Sequence, residues 1–357
     1  MDLWLQELQA KKAKRDAELA TSVVWTEFEP GDVVGYRKNG SPIYFIAGGA
    51  ADNFDAWIPE ETDSAVIQRV AQTSAVMALG RHTPMGSATK KVPRSSGMAV
   101  KTLNKSGAYT SSDDDNDDVL LTARKHTGLL TVAEEDLNDS AADIIAAKEI
   151  DWATSYGKYF DNATLAVSAA ESAPTVPYTS VYRALTQTDA PLGYTANDNI
   201  VGTLVAGHVK YDEISEALGR YEDGDYFDEA MSIVIAHPTF RKQLRQIKDD
   251  NNQPIFVRGQ GGDAGTPDTL FDIPIRWSNG CRVSATATQA PTGAPIMVFG
   301  NRDFLIIGDR STVETQPIPA AISTTDEANV KIRDRKAFAI GHPKAFAVLI
   351  DDGSNLS

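Results

Sequence analysis

The sequence is short of the residues that covalent cross-links, metal sites and membrane spans require. Its 357 residues include a single cysteine, Cys281, so neither a disulfide framework nor a cysteine zinc site can form within the chain. We expect Cys281 to be a small packing residue in a reducing compartment. No stretch approaches the roughly 20 apolar residues that cross a bilayer, and residues 1–20 have no apolar core of signal-peptide length. These absences predict a soluble cytosolic protein without a membrane partner.

Sequence signatures of enzymes and cofactor sites are also missing. The chain contains neither of the glycine-rich phosphate-binding motifs, G-x-x-x-x-G-K-[ST] and G-x-G-x-x-G, and no G-x-S-x-G nucleophile elbow. Its histidines are never three or four residues apart, the spacing at which two of them could share a metal on one helix face; they are His82, His126, His208, His237 and His342. His237 and His342 each precede a proline, which is typical of turns. We therefore predict no catalytic residue, no cofactor and no metal.

The charge balance of the chain is strongly acidic. Lysine and arginine number 34 against 49 aspartates and glutamates, which gives a formal net charge of −15. A free-standing nucleic-acid-binding protein normally has a basic balance and a basic face. Any contact of this chain with nucleic acid should therefore be local and weak.

Residues 86–118 depart from the composition of a globular domain, because they include few large apolar side chains. A loop of this length within a compact domain is normally functional, disordered or an arm that reaches something else. Its first leg is basic, with Lys90, Lys91, Arg94, Lys101 and Lys105, and its second leg is acidic, with Asp113, Asp114, Asp115, Asp117 and Asp118. The acidic run does not match a calcium loop, since Val119 stands where the turn glycine should be. The basic leg lacks the interleaved aromatic residues of single-strand nucleic-acid sites.

Hydrophobic periodicity predicts helices and strands without a strict alternation of the two, which indicates an α+β fold. The clearest helix covers residues 136–169, where apolar side chains between Ile145 and Ala163 follow helical spacing. Further helices are predicted at 1–20 and 207–221, and strands at 119–132, 232–238, 273–279, 294–316 and 330–350.

Three segments have weaker signals. Residues 64–82 fit either a helix or a strand. Proline, threonine, aspartate and glycine dominate residues 175–200, which predicts a linker or an irregular surface. A small hairpin is expected around Lys38-Asn39-Gly40, because asparagine and glycine suit a tight turn between two short apolar runs.

Six stretches carry more information by their common order than any one of them does alone. Four lie in the C-terminal half: SIVIAHPTFRKQLRQIKDDNNQPIF, TLFDIPIRWSN, VFGNRDFLIIGDRSTVET and VKIRDRKAFAIGHPKAFAVL. Two lie upstream: SAVMALGRHTPMGSATKKVP and LTVAEEDLNDSAADIIAAK. Over residues 65–350 they resemble, in the same order, the strands, turns and helices of tailed-bacteriophage major capsid proteins. The chain is therefore similar to proteins with the Hong Kong ninety-seven type capsid fold.

This resemblance implies an α+β capsid fold with an N-terminal arm, an extended loop, a peripheral domain and an axial domain. The implied boundaries are 1–63 for the arm, 64–85 for a first strand or helix of the peripheral domain, 86–126 for the extended loop (a β-hairpin), 127–174 for the peripheral domain with its long spine helix, 175–318 for the axial domain, and 319–357 for the closing peripheral strands and the C-terminus.

The resemblance also implies a function. The chain would be the major capsid protein of a tailed double-stranded DNA phage, a structural protein and not an enzyme, which self-assembles into the pentamers and hexamers of an icosahedral head. Implied partners are its own copies, a separate scaffolding protein, portal and decoration proteins, and packaged DNA contacted without sequence readout. The implied location is the virion, after assembly in the host cytoplasm. An encapsulin-like protein shell and an unrecognised enzyme are the alternatives.

The charge-separated loop is the candidate inter-subunit contact under this interpretation. Its basic leg would lie on an acidic surface of a neighbouring subunit, while its aspartates would meet lysine or arginine, because complementary charges set register and suppress wrong docking. The basic face of the helix after SIVIAHP, formed by Arg241, Lys242 and Arg245, would be solvated or paired with a neighbour. Some similar proteins cross-link a loop lysine to a neighbouring asparagine, but the matching position here falls near Asp326, so no cross-link is carried over.

Overall fold

The computed structural model describes residues 11, 33–36, 42–44, 73–94, 100–109, 117–133, 144–248, 269–318 and 327–354. The chain divides into two units, residues 1–63 and 64–357. In the first unit, strand β1 (Val33–Tyr36) pairs antiparallel with β2 (Pro42–Tyr44), which confirms the predicted hairpin. The helix predicted for residues 1–20 lies outside the described residues, apart from Lys11.

The second unit mixes helices and strands. Its helices are α1 (Ala75–Leu79), α2 (Ile144–Leu165), α3 (Val181–Leu185), α4 (Tyr211–Glu222) and α5 (Thr239–Gln246). Its strands are β3 (Arg81–Pro84), β4 (Thr89–Arg94), β5 (Asp117–Thr122), β6 (Arg124–Ala133), β7 (Ile200–Gly202), β8 (Ser232–Ala236), β9 (Thr269–Leu270), β10 (Ile273–Trp277), β11 (Ile296–Asn301), β12 (Leu305–Ile318), β13 (Glu327–Ile340) and β14 (Phe346–Ile350). The α+β class predicted from the sequence is confirmed.

A six-stranded sheet forms the centre of the larger core, in the order β7-β14-β11-β8-β10-β9. Strands β7, β14, β8 and β10 run in one direction, and β11 and β9 run against them. Every residue of β8 and of β14 is buried. Side chains from α4 and α5 cover one face of this sheet, and side chains from α2 and α3 cover the other. Burial on both faces explains why SIVIA and FAVLI are nearly continuous apolar runs.

A four-stranded sheet, in the order β3-β12-β13-β6, lies beside the first. Exposure alternates along β6, as expected for a strand with one buried and one solvated face. The buried face packs against α2, where Trp152 and Tyr156 stack at 4.9 Å between ring centroids. Gly128 permits this packing, because a Cβ atom there would lie 2.5 Å from the Trp152 ring. The alternating exposure along β6 therefore follows from the packing of one face of this sheet against α2.

The two C-terminal strands belong to different sheets. Strand β13 pairs with β12 and β6 in the four-stranded sheet, whereas β14 pairs with β11 and β7 in the six-stranded sheet. Residues 319–357 are one closing unit in the predicted organisation, and the turn after Ile340 carries the chain from one sheet to the other within it. The domain names and boundaries stay a prediction.

The expectation of a linker or irregular surface at residues 175–200 is wrong. This segment contains α3, and it buries Tyr178, Val181, Leu185 and Tyr194 in the main core. Its proline, glycine and aspartate residues form tight turns between these buried side chains. The composition that predicts a loop therefore describes only the turns. The ambiguous residues 64–82 resolve, where they are described, into α1 followed by the start of β3.

The long helix predicted for residues 136–169 is present as α2 over its described part. Residues 134–143, where the predicted helix begins, lie outside the described residues. The helix ends at Leu165, because Val167 leaves the helical path to form a β-bridge with Ser284.

Candidate functional site

The predicted extended loop begins and ends in a two-stranded hairpin. Strand β4 pairs antiparallel with β5, from Thr89 opposite Thr122 to Arg94 opposite Asp117. One ion pair joins the two legs, with Lys91 Nζ 2.6 Å from a carboxylate oxygen of Asp118. This pair is exposed, so it contributes no more than about 1 kcal/mol. The hairpin predicted within residues 86–126 is confirmed.

The proximal part of the hairpin is fixed to its own subunit. Leu121 is buried in a small cluster with Met85 and Ile306, and Val119 is buried two residues earlier on the same strand. These contacts join the hairpin to the edge of the four-stranded sheet. Burial of two large apolar side chains contributes on the order of 3–6 kcal/mol, which exceeds the contribution of any exposed ion pair here.

Two residues of the predicted inter-subunit contact form polar contacts within their own chain, at the base of the hairpin. Lys90 Nζ donates to Thr83 Oγ1 at 2.6 Å and to the carbonyl of Pro84 at 3.0 Å. Arg94 lies 3.5 Å from the carboxylate of Asp189 and 3.4 Å from the carbonyl of Gly341. These cations therefore help to set the direction in which the hairpin leaves the subunit.

The distal part of the loop, where described, is exposed throughout. Residues 100–109 are all exposed, and Val100 and Tyr109 are each 97% exposed. Lys101 and Lys105 lie on the same segment. Isolated exposed apolar residues are ordinary, but a long projecting segment with several of them is typical of an interaction surface. The prediction from the sequence rested on the charges of this segment and missed its apolar side chains.

The acidic leg is described only in part. Asp113, Asp114 and Asp115 lie outside the described residues, and Asp117 is described by its backbone alone. Asp118 faces Lys91 within the hairpin. The structure therefore brings Lys91 and Asp118 together, and it leaves the remaining aspartates of this leg as predictions.

A buried carboxylate that sequence reasoning missed joins three segments at the C-terminal part of α2. Asp161 is fully buried and accepts hydrogen bonds from the hydroxyls of Ser74 and Ser278 and from the amides of Ala75 and Val76. The Ser278 bond is 2.6 Å and the two amide bonds are 2.9 and 3.1 Å long. Burial raises the pKa of Asp161 above its ordinary value, and these four donors act against that rise.

The next residue on the helix, Asn162, completes the same junction. Its amide nitrogen donates to the carbonyls of Gly280 and Arg282 at 3.0 and 2.8 Å, and its amide oxygen accepts from Ser284 and Thr288. Asp161 and Asn162 thus hold α1 and residues 278–288 to the helix. The sequence signal for this junction was the adjacent Asp-Asn pair near the end of a helix rich in apolar residues. Polar side chains that are buried there need hydrogen-bond partners.

A second set of buried polar side chains lies between α2 and the four-stranded sheet. Tyr178 donates to the carbonyl of Lys336 at 2.8 Å, so its oxygen accepts from Nε2 of His126, also at 2.8 Å. Tyr156 donates to the buried carboxylate of Asp334 at 2.8 Å. Burial, with a smaller effect of Lys336, lowers the pKa of His126 to about 4. The hydrogen bonds of these side chains join α2 and residue 178 to the four-stranded sheet.

The other candidate reactive residues have structural roles. Backbone amides of Thr239 and Lys344 donate to Nδ1 of His237 and His342 respectively, which confirms both histidines as turn residues. Burial and nearby cations lower both pKa values to about 4. Cys281 is completely buried, and burial raises the pKa of its thiol, which agrees with a packing residue.

Across the described ranges, no three histidine, cysteine, aspartate or glutamate side chains are grouped so that they could hold a metal ion. None of the helices in those ranges is both long and apolar enough to cross a membrane.

Comparison with known proteins identifies a family over most of the chain. The model of the phage capsid family matches residues 55–350. No curated protein sequence matches.

Solved structures with the same fold come from several particles. The chain is similar to the capsid protein of a native GTA particle, with a TM-score of 0.64, 14% identity, and coverage of 84% of this chain and 99% of that one. It is also similar to a structure from Mycobacterium phage Bobi (TM-score 0.65, 16% identity, 84% and 98% covered) and to one from Microbacterium phage Oxtober96 (TM-score 0.58, 20% identity, 84% and 98% covered). At these identities the similarity establishes the fold.

Proposed function

The chain belongs to the phage capsid family, and on that premise we propose that it is the major capsid protein of a tailed double-stranded DNA phage. It is a structural protein of the virion, and its copies form the icosahedral head. We extend this to pentamers and hexamers as the intermediate assemblies, formed in the host cytoplasm. The capsid of the native GTA particle was computed with C5 symmetry, which supports five-fold association in that relative.

The observation that carries this proposal within the molecule is the projecting loop. Strand β5 buries Val119 and Leu121 in its own subunit, while Val100 and Tyr109 are each 97% exposed. A single subunit gains nothing from holding these side chains in water, whereas a neighbouring copy could cover them. Each large side chain that becomes buried contributes roughly 1.5–3 kcal/mol, and this contribution is repeated at every contact of the shell.

Within this proposal, the residues of the inter-subunit contact divide into two groups. Lys90, Lys91, Arg94 and Asp118 lie on the paired strands β4 and β5, where their contacts orient the hairpin. Lys101 and Lys105, on the exposed segment, meet the neighbour together with the acidic run that begins at Asp113. Charge then sets the register of docking, and the apolar side chains add affinity.

Other partners remain part of the proposal. With a net charge of −15, an inner face that meets packaged DNA would contact phosphates without reading bases. Separate scaffolding, portal and decoration proteins are the further partners that we propose. An encapsulin-like shell is the alternative with the same fold, and genome neighbours would separate the two, since portal and terminase genes accompany a phage head.

The test is assembly of the purified chain, followed by mass photometry and negative-stain microscopy. We expect closed shells or pentamers and hexamers, if necessary after co-expression with a scaffolding protein. A variant with Lys101→Glu and Lys105→Glu should keep the wild-type melting temperature and lose most of this assembly. The matched control reverses Lys148 and Lys210, two exposed lysines outside the hairpin, and should assemble normally. Normal shells from the loop variant would contradict the contact that we propose.

A further inference from the structure

The segment between α4 and β8 forms an acidic surface. Residues 221–231 contain no lysine or arginine, and their acidic side chains are all exposed: Glu222, Asp223, Asp225, Asp228 and Glu229. Phe227 lies among them with 37% of its surface exposed, and it packs edge-on against Tyr221 at 5.3 Å. We call this surface the acidic pole.

Helix α5 carries the opposite charge. Residues 239–248 contain no aspartate or glutamate, and their cations are all exposed: Arg241, Lys242, Arg245 and Lys248. The guanidinium of Arg241 lies 4.6 Å from the ring centre of Trp277, a cation–π contact. Asp249 and Asp250 come next in the sequence and lie outside the described residues. We call the exposed face of α5, together with Lys248, the basic pole.

The two poles lie at opposite ends of strand β8. The acidic pole immediately precedes its first residue, Ser232, and α5 begins three residues after its last, Ala236. A strand of five residues spans about 17 Å. The Debye length at physiological ionic strength is about 8 Å, so the poles do not neutralise each other within one subunit. Each pole can therefore meet a partner of opposite charge.

The fold holds both poles rigidly. Between them, every residue of β8 is buried in the centre of the six-stranded sheet. Phe240 and Leu244 fix the inner side of α5 in the core, and Gln243 Nε2 donates to Asp351 at 2.5 Å. On the other side, the hydroxyl of Tyr221 bonds to that of Ser232 at 2.7 Å. A rigid separation means that the direction from one pole to the other is the same in every copy.

We propose that the acidic pole of one copy docks on the basic pole of the next, in a head-to-tail contact that closes into a ring. This inference rests on the proposed function and names a contact within it. An interface in which a pole met its own counterpart would bring like charges together. A two-fold axis pairs both poles at once in an antiparallel dimer, but such a dimer has no pole left over to extend into the pentamers and hexamers of the proposed function. A head-to-tail contact uses one pole from each copy, and its rotation repeats until the ring closes.

Charge alone would give this contact little affinity, and each pole offers more than charge. Aromatic residues and arginine are the side chains most enriched at binding hot spots. Phe227 marks the acidic pole, and Trp277 with Arg241 marks the basic pole. We therefore expect the aromatic side chains to be covered in the ring and the surrounding charges to select partner and register.

The first experiment reverses the charge of each pole alone and then the charges of both poles together. One variant carries Lys242→Glu, Arg245→Glu and Lys248→Glu, and the other carries Asp223→Lys, Asp225→Lys and Glu229→Lys. Each should raise the protein concentration for half-maximal assembly at least about ten-fold, the effect of about 1.4 kcal/mol at each contact. The variant with all six changes restores opposite poles and should return to within about three-fold of wild type. Circular dichroism and melting temperature establish that every variant is folded.

The second experiment distinguishes a head-to-tail ring from a two-fold pair. The first variant has two acidic poles and the second has two basic poles, so a mixture can associate only in alternation. An alternating ring has an even number of copies, so the mixture should give hexamers and no pentamers. Since an icosahedral shell needs pentamers, no closed shells should appear. Mass photometry of the mixture reads out each species.

The outcomes separate this inference from the function on which it rests. If wild type assembles and the single-pole variants assemble equally well, the inference is wrong and the capsid function stands. Heterodimers from the mixture, or pentamers in it, would also overturn the head-to-tail contact. A wild-type chain that stays monomeric under all conditions, including co-expression with a scaffolding protein, would contradict the proposed function itself.

Discussion

The six-stranded sheet and the β4–β5 loop show two ways in which one chain uses apolar side chains. Strands β8 and β14 bury every residue between helical layers of their own subunit. The loop buries Val119 and Leu121 at its base and leaves residues 100–109 exposed. The sheet is complete in a single copy, whereas the loop acquires a buried surface only through another molecule. Stability of the subunit and assembly of the shell are therefore properties of different regions and can be separated by substitution.

The largest effect on subunit stability should come from Asp161. Replacement by alanine removes the acceptor for two hydroxyls and two backbone amides that are all at the buried junction. Unsatisfied buried donors cost about 1–3 kcal/mol each, so we expect a loss of about 3–5 kcal/mol. Urea unfolding followed by circular dichroism measures it. Asp161→Asn is the matched control and should cost less, because one amide oxygen can still accept. A loss below about 1 kcal/mol for the alanine variant would show that the junction is not needed.

A smaller effect should appear when the core is acidified. His126 is buried beside Tyr178 with its pKa lowered from 6.5 to about 4, so the folded state favours the neutral ring. Its contribution to stability is fully present above about pH 6.5 and is lost as the pH falls towards 4. We expect a His126→Gln variant, which keeps a hydrogen-bonding group near Tyr178, to lose about 2 kcal/mol less than wild type over that range. Unfolding measured at about pH 7 and about pH 4.5 gives the difference.

His237 and His342 also have pKa values lowered to about 4, so they add to the acid response of wild type. The difference between wild type and the His126 variant isolates the share of His126. Equal slopes of stability against pH in the two proteins would exclude a significant contribution from this histidine.

The smallest effect on the subunit should come from the loop. Val100→Ser and Tyr109→Ser, made together, remove side chains that are already in water, so the unfolding free energy should change by less than about 0.5 kcal/mol. Assembly should nevertheless fail or require a much higher concentration, because the neighbouring copy loses the apolar surface that it covers. Mass photometry and thermal melting of the same preparation test both parts. A lower melting temperature with normal assembly would show that these side chains stabilise the subunit and not the contact between subunits.

Several elements could be predicted from the sequence because their signals are local. Continuous apolar runs identified β8 and β14, helical spacing identified α2 and α4, and the composition of residues 86–118 identified the loop. The turn roles of His237 and His342 followed from the proline after each. In all of these, the physical cause lies within a few residues of its effect.

The failures arose where the cause lies far along the chain. Residues 175–200 contain turn-forming residues, yet Tyr178 and Tyr194 are buried by elements more than a hundred residues away, including β14. The Asp-Asn pair at residues 161–162 did not indicate its partners, because the donors to Asp161 come from residues 74–76 and 278. The exposure of Val100 and Tyr109 was also missed, because the identity of an apolar residue does not show whether other residues bury it.

The sequence by itself determined the α+β class, the acidic character and the family order of the segments, because composition and periodicity act locally. Tertiary structure alone decided that β13 and β14 separate into different sheets, that Asp161 and Asn162 join distant segments, and that the acidic and basic poles lie at opposite ends of β8. Strand pairing, burial and the facing of charges depend on contacts between residues far apart in the chain. Such contacts exist only once the chain has folded.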